Sequence, residues 1–365
     1  MRATGDGSSR EDATPRAGSG LCHHPRRMRS SLVWVFALLA LTACDRRADP
    51  DWIAARIEEA RARNAAAVVE HGAEDERRDW TLTLVGPDGT TEVLPFARVA
   101  AMATDAIATT ESAESRSSQI LHFRGARLSR FVSRVAGGES ASDVTILASD
   151  GFRATVAMDD VQRFSIMLAT EAEGVPLGRD HGGPLYSVFP LTEHPDLASR
   201  YTSSWWVFYV THLVIGTAPP SVRVAARAFD AAALDALPRV SITAEVGYRV
   251  GWPEEPVRLS GVRLRDLLAL AGTPVLPGGR VRVLSRAPIT HSAERPTYVS
   301  ASDVLEHDVI LALRYGAGDD PIPSRLGGPL TLAFPAEVVP RIEEYDWLTF
   351  VDELAVEAPG AADGE

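Results

Sequence analysis

The sequence predicts an α+β protein built as two tandem domains, each rich in strands and served by short helices. Two observations carry that expectation. Gly125-Ala-Arg-Leu128, Gly182-Gly-Pro-Leu185 and Trp206 return in the same order as Gly261-Val-Arg-Leu264, Gly327-Gly-Pro-Leu330 and Trp347. The matched markers lie about 140 residues apart, too far for a solenoid unit and right for a whole domain. Between the markers, short apolar runs are punctuated by Gly, Pro and Asp, which is the pattern of strands joined by turns.

The elements follow in chain order. In the first copy, residues 80–216, Trp80-Thr-Leu-Thr-Leu-Val85 alternates as a strand should and Gly86-Pro-Asp-Gly89 is a turn. Pro95 to Ala103 reads as a short helix and Ile107 to Thr110 as a strand. Arg127 to Val135 is amphipathic and meets a helix stop at Gly137-Gly138. Val144 to Ala148, the Asp150-Gly151 turn and Phe152 to Val156 form a hairpin; Met158 to Phe164 is a helix and Ser165 to Ala169 a strand. Leu185 to Phe189 and Trp205 to Ile215 close the copy as strands, with Trp205, Trp206, Phe208 and Tyr209 expected either buried on a strand or lining a ligand cleft or the contact between copies. The second copy, residues 221–357, repeats this with strands at Val222–Ala226, Arg239–Thr243, Val281–Leu284, Val309–Leu313, Leu330–Phe334 and Trp347–Val356, and helices at Phe229–Leu237, Leu264–Leu270 and Ala301–Glu306. Thr217-Ala-Pro-Pro220 is a linker short enough for the copies to pack together, and residues 358–365 are a polar tail.

Composition places the body among ordinary globular proteins: 45% hydrophobic and 24% charged over 365 residues. All 37 basic residues are Arg, which removes Schiff-base lysine chemistry and a Walker-type lysine. The net charge of −12 and the lack of a concentrated basic surface argue against a nucleic-acid partner. Residues 1–43 comprise a polar extension and a signal-like segment: Arg29 opens an apolar run of about a dozen residues, too short to span a bilayer comfortably. Translation starts either at Met1 or at Met28, and only the longer form carries the pair Arg26-Arg27, which bears on whether export is of the folded or the unfolded chain. Residues 44–79 are Ala/Arg/Glu-rich and are expected to form an anchor and helical spacer. Cys22 and Cys44 are the two cysteines, so a chain processed before Cys44 holds neither a disulfide nor a free thiol in its domains.

Two resemblances extend this reading. Leu41-Thr-Ala-Cys44 resembles the lipobox of bacterial lipoproteins, the alternative being a plain secretory signal or short anchor. The resemblance implies acylation of Cys44, attachment to the lipid bilayer, and a place in the bacterial cell envelope facing the periplasm, with Asp45 slightly favouring the inner membrane. The ordered set Gly-Val/Ala-x-Leu, Leu-Ala, Gly-Gly-Pro-Leu and a terminal Trp segment, present in both copies and joined in the first by Asp-Gly-Phe, resembles the molybdopterin-binding domain of sulfite oxidase-like enzymes. In the first copy the set includes Ala148-Ser-Asp-Gly-Phe152, Met167-Leu-Ala169 and His181-Gly-Gly-Pro-Leu185; in the second it includes Leu311-Ala312 and Leu326-Gly-Gly-Pro-Leu330.

That resemblance implies a molybdenum held by a pterin dithiolene and one protein cysteine at the junction before the Gly-Val-x-Leu helix. Here the junctions read Ala108-Thr-Thr-Glu-Ser-Ala-Glu114, with Thr110, Glu111 or Ser112 at the ligand position, and Ile242-Thr-Ala-Glu-Val-Gly247, with Glu245 and Val246. Neither contains cysteine, and a hydroxyl does not replace a soft anionic thiolate at neutral pH. The basic residue that often follows Gly-Pro-Leu is Tyr186 in one copy and Thr331 in the other. Arg153, Arg179 and His181 in the first copy and Arg286, His291 and Arg325 in the second are the remaining candidates for an anionic ligand, if they are not simply surface residues. The expectation is therefore non-catalytic binding of a small molecule or a periplasmic protein, with no cofactor. The alternative is a molybdopterin-dependent oxidoreductase whose metal takes a non-thiolate ligand such as Ser112 or Glu111.

Overall fold

In a computed structural model of the chain, residues 77–110, 119–202, 205–246, 251–253, 255–286, 297–341 and 347–359 are described. The polar extension, the apolar run, Cys44 and nearly all of the expected spacer helix lie outside those residues. Among the described residues no helix is long and apolar enough to cross a membrane.

The first copy is built from β1 (Thr81–Val85), β2 (Thr91–Pro95), β3 (Asp105–Thr109), β4 (Leu121–Arg127), β5 (Asp143–Ala148), β6 (Arg153–Ala157), β7 (Met167–Ala172), β8 (Val175–Pro176), β9 (Tyr186–Val188) and β10 (Val210–Ile215). They form two sheets, one ordered β2-β1-β10-β5-β6 and one ordered β3-β4-β7-β8 with β9 on β7. The second copy supplies β11 (Val222–Val224), β12 (Arg227–Phe229), β13 (Arg239–Ala244), β14 (Val257–Arg263), β15 (Arg280–Ser285), β16 (Thr297–Ser300), β17 (Ile310–Tyr315), β18 (Asp320–Pro321), β19 (Thr331–Ala333) and β20 (Val351–Glu357). Its sheets run β12-β11-β20-β15-β16 and β13-β14-β17-β18 with β19 on β17, the same order strand for strand. In each copy the first and last strands pair in parallel, so the chain closes each sheet with its own ends.

Short helices sit where the sequence places them. Phe96–Met102 follows Pro95, and Leu128–Val132 buries Leu128, Phe131 and Val132, one face of a single turn, before the chain turns off at Gly137 with φ 71°. Ala231–Asp235 is capped by the Asp230 carboxylate, which accepts from Ala233 N, and Ala301–Glu306 by Ser300, which accepts from Asp303 N.

Each copy has its own hydrophobic core, one drawn from residues between Leu82 and Ile215 and the other from residues between Val222 and Leu354. A third small cluster joins them: Val85, Leu147 and Val214 on the outer face of the first copy's β2-β1-β10-β5-β6 sheet, and Phe350 from the second copy. Ser324 reinforces this contact by donating to Gly216 O at 2.7 Å across the linker.

Three expected strands end differently. Only Val210–Ile215 and Val351–Glu357 are strand, because the chain before each makes the left-handed turn at Tyr209 (φ 54°) or Phe350 (φ 53°), and these residues bond back to the Gly-Gly-Pro segment. Trp205 and Trp206 thus precede the strand; Trp206 is nevertheless buried, packed near Phe123 and Tyr186. The opening strand of the second copy stops at Val224, where Ala225 takes φ 51°.

Candidate functional site

The repeated Gly-Gly-Pro-Leu segments form the same structure in both copies. Each holds a cis Gly-Pro bond, at Gly183-Pro184 and Gly328-Pro329. In the first, Tyr209 N donates to Gly182 O at 2.9 Å and Val210 N to Leu185 O at 3.0 Å; in the second, Phe350 N donates to Gly327 O at 2.7 Å and Val351 N to Leu330 O at 3.0 Å. Gly182 and Gly327 both have positive φ, and a Cβ on either would run into the side chain of Phe208 or Thr349. The turns are therefore superposable frames that carry different side chains.

In the first copy the turn opens onto a cleft of about 400 Å³. Its walls include Phe123, Tyr186 and Phe208, and Asp180 and His181 stand at its rim. Phe208 is 43% exposed and stacks on Tyr186 at 4.6 Å, while Arg179 lies 5.3 Å from the Tyr209 ring centroid and its carbonyl accepts from Tyr209 Oη. In the second copy the turn is covered. The Arg153 guanidinium arrives from the first copy, donates to Thr349 Oγ1 at 3.1 Å and lies 5.9 Å from the Phe350 ring centroid.

The sequence-derived candidates do not converge on one place. Arg153, 2% exposed, belongs to the contact between copies. So does Arg286, which donates to Asp352 Oδ1 at 2.9 Å within the second copy and acts electrostatically on His212 of the first. His212, on the outer sheet face beside Arg286, is pushed down to about 4 by burial first and the Arg286 charge second, so it is neutral at pH 7. Asp352 is held above the usual carboxylate range, burial outweighing its ion pair. Arg179 and His181 flank the open cleft. Arg325 is exposed, 3.5 Å from Tyr315 Oη, and Glu245 is exposed at the end of β13. Thr110 N donates to Thr192 Oγ1, and buried Thr109 accepts from Leu191 N and donates to Phe189 O, so the junction before Glu111 is tied down by threonine hydroxyls. Glu111, Ser112 and His291 lie outside the described residues.

A molybdenum cofactor of the thiolate-ligated type does not fit these residues. No cysteine follows Cys44 anywhere in the chain, and the positions after Gly-Pro-Leu hold the neutral side chains Tyr186 and Thr331, 2% and 0% exposed, in place of a cation. Among the described residues no group of three or more His, Cys, Asp or Glu is arranged to hold a metal ion.

Fold and turn together define a duplicated, strand-rich α+β scaffold with the same Gly-Gly-Pro turn in each copy. Residues 71–193 match the family model described as oxidoreductase molybdopterin binding domain, so the first copy carries a domain of that kind. The second copy shares its strand order and its Gly-Gly-Pro turn. Among solved structures, the sulfane dehydrogenase SoxCD from Paracoccus pantotrophus is similar at 14% identity and a TM-score of 0.30, over 61% of this chain and 59% of that one. No curated protein matches.

Proposed function

We propose that this chain is a cell-envelope lipoprotein that has kept the molybdopterin-domain scaffold twice and uses it to bind a ligand or partner, without molybdenum redox chemistry. The observation that carries the reading is the donor set. Both copies lack the thiolate, and where a cation would meet the cofactor phosphate both bury a neutral side chain, Tyr186 or Thr331. A hydroxyl, with a pKa far above that of a thiol, is a poor anionic ligand at neutral pH. The family match supports the scaffold, and the lipobox-like Leu41-Thr-Ala-Cys44 supports anchoring through Cys44.

The test is metal and pterin analysis of the protein extracted in detergent from the membranes of the organism that makes it. The expected result is recovery in the membrane fraction with molybdenum and pterin far below one per chain. Stoichiometric molybdenum would overturn the non-catalytic reading in favour of an oxidoreductase with a non-thiolate ligand, and recovery in the soluble fraction would overturn the anchoring.

A further inference from the structure

The two copies differ at the slot beside the Gly-Gly-Pro turn. In the second copy an indole fills it. Trp252, 6% exposed, donates from Nε1 to Leu326 O at 2.9 Å and sets its ring edge-on to Tyr315 at 5.6 Å. The strand pairings place Ala172 opposite Phe123 where Tyr315 stands opposite Leu259, and the turns place His181 where Leu326 stands. Ala172 and His181 are both lining residues of the open 400 Å³ cleft. The stretch of sequence between β3 and β4, residues 110–120, contains no aromatic residue, whereas the stretch between β13 and β14 supplies Trp252.

We propose that the cleft beside Gly182 is a binding site for a flat, apolar ring system of one or two fused rings bearing an N–H donor, an indole-type group, seated as Trp252 is seated in the second copy. This rests on the binding reading above and names the ligand class for it. The walls suit such a ring: Phe123, Leu177, Tyr186 and Phe208 give apolar and aromatic faces, and the volume is at the small end of the range for ligand sites. Asp180 and His181 are the acidic and basic residues of the lining. A pterin, polar on most of its edges, would leave its donors and acceptors against those apolar walls. Exposed Phe208, held flat by Tyr186 and admitted by Gly182, is the wall that a ring would cover.

Titration calorimetry on the detergent-solubilised full chain, with indole and N-acetyl-tryptophanamide as probes, tests this. Saturable binding of one probe per chain is expected, weaker for naphthalene, which lacks the donor, and weakened about tenfold by Phe208→Ala, a change at an exposed ring that leaves the cores intact. Tighter capture of the amide assigns the ring to a tryptophan of a polypeptide, and tighter capture of indole assigns it to a free heterocycle. Trp252→Ala is expected to raise the stoichiometry from one to two. Absence of saturable binding to the unsubstituted chain, or binding unaffected by Phe208→Ala, overturns the proposal whatever the metal content proves to be.

Discussion

Gly125 and Gly261 stand at equivalent points where β4 and β14 slip register against β7 and β17. The slip brings a neighbouring carbonyl so close that a Cβ would run into it: Leu168 O in one copy, Leu311 O in the other. Backbone atoms do not swing aside as a flexible side chain does, so the strand pair itself would have to move. Gly125→Ala and Gly261→Ala are each expected to cost on the order of 3 kcal/mol or more in denaturant unfolding. A loss below about 1 kcal/mol in both would show that the bulge adjusts freely. The repeat marks these glycines in the sequence, but their reason is not visible there, because the crowding comes from strands some forty to fifty residues away. The same holds for the candidate arginines. Arg153 and Arg286 look like loop cations in sequence, and only the packing of one copy on the other places both in the contact between them.

At the scale of elements, alternation and turn residues made most strands and the short α-helices legible, but not the 3-10 turns such as Pro195–Ser199 or the inner strands β4 and β14. What they concealed was the left-handed turn at Tyr209 and Phe350, since a run of aromatic residues reads as strand whether or not one of them turns the chain. They also did not separate two sheets that share one topology and differ in their outer faces. The first copy's β2-β1-β10-β5-β6 sheet shows Val85, Leu147 and Val214 outward, and the second copy rests on it. The corresponding sheet of the second copy carries a ladder of charge: Arg223 pairs with Glu353, and Glu357 receives Arg280 at 2.7 Å and Arg282 at 3.6 Å. Part-exposed pairs of this kind contribute about 0–1 kcal/mol each, so stability does not explain them. A charged face of this kind disfavours the apolar head-to-tail contact that the first copy's sheet makes. Replacing Arg223, Arg282, Glu353 and Glu357 together by Val is expected to produce concentration-dependent association in sedimentation, the new apolar face meeting the open Gly182 turn of the next molecule. A variant that sediments as the unsubstituted chain does would refute this role.

The whole molecule depends on the contact between copies, and that contact contains a titrating group. His212 projects from the first copy's outer sheet face toward Arg286 of the second, with Asp352 paired to the same guanidinium. Folding pushes His212 down to about 4, whereas in the unfolded chain it titrates near its ordinary value of about 6.5. Between those values the unfolded chain binds the proton and the folded one does not, so stability rises with pH across the window. The contribution is fully present above about pH 6.5 and is lost as pH falls toward 4, at most on the order of 3 kcal/mol. Asp352 works the other way. Its raised pKa gives stability at low pH that is lost as pH rises through the folded value, which softens the His212 effect at the acid end of the window. His212→Gln removes the titration while leaving a polar side chain beside Arg286. Urea unfolding at pH 7 and pH 5 is expected to show the unsubstituted chain losing about 2 kcal/mol more than the variant over that interval. Parallel losses in the two proteins would mean that the half-buried histidine does not govern the acid sensitivity of the joined copies.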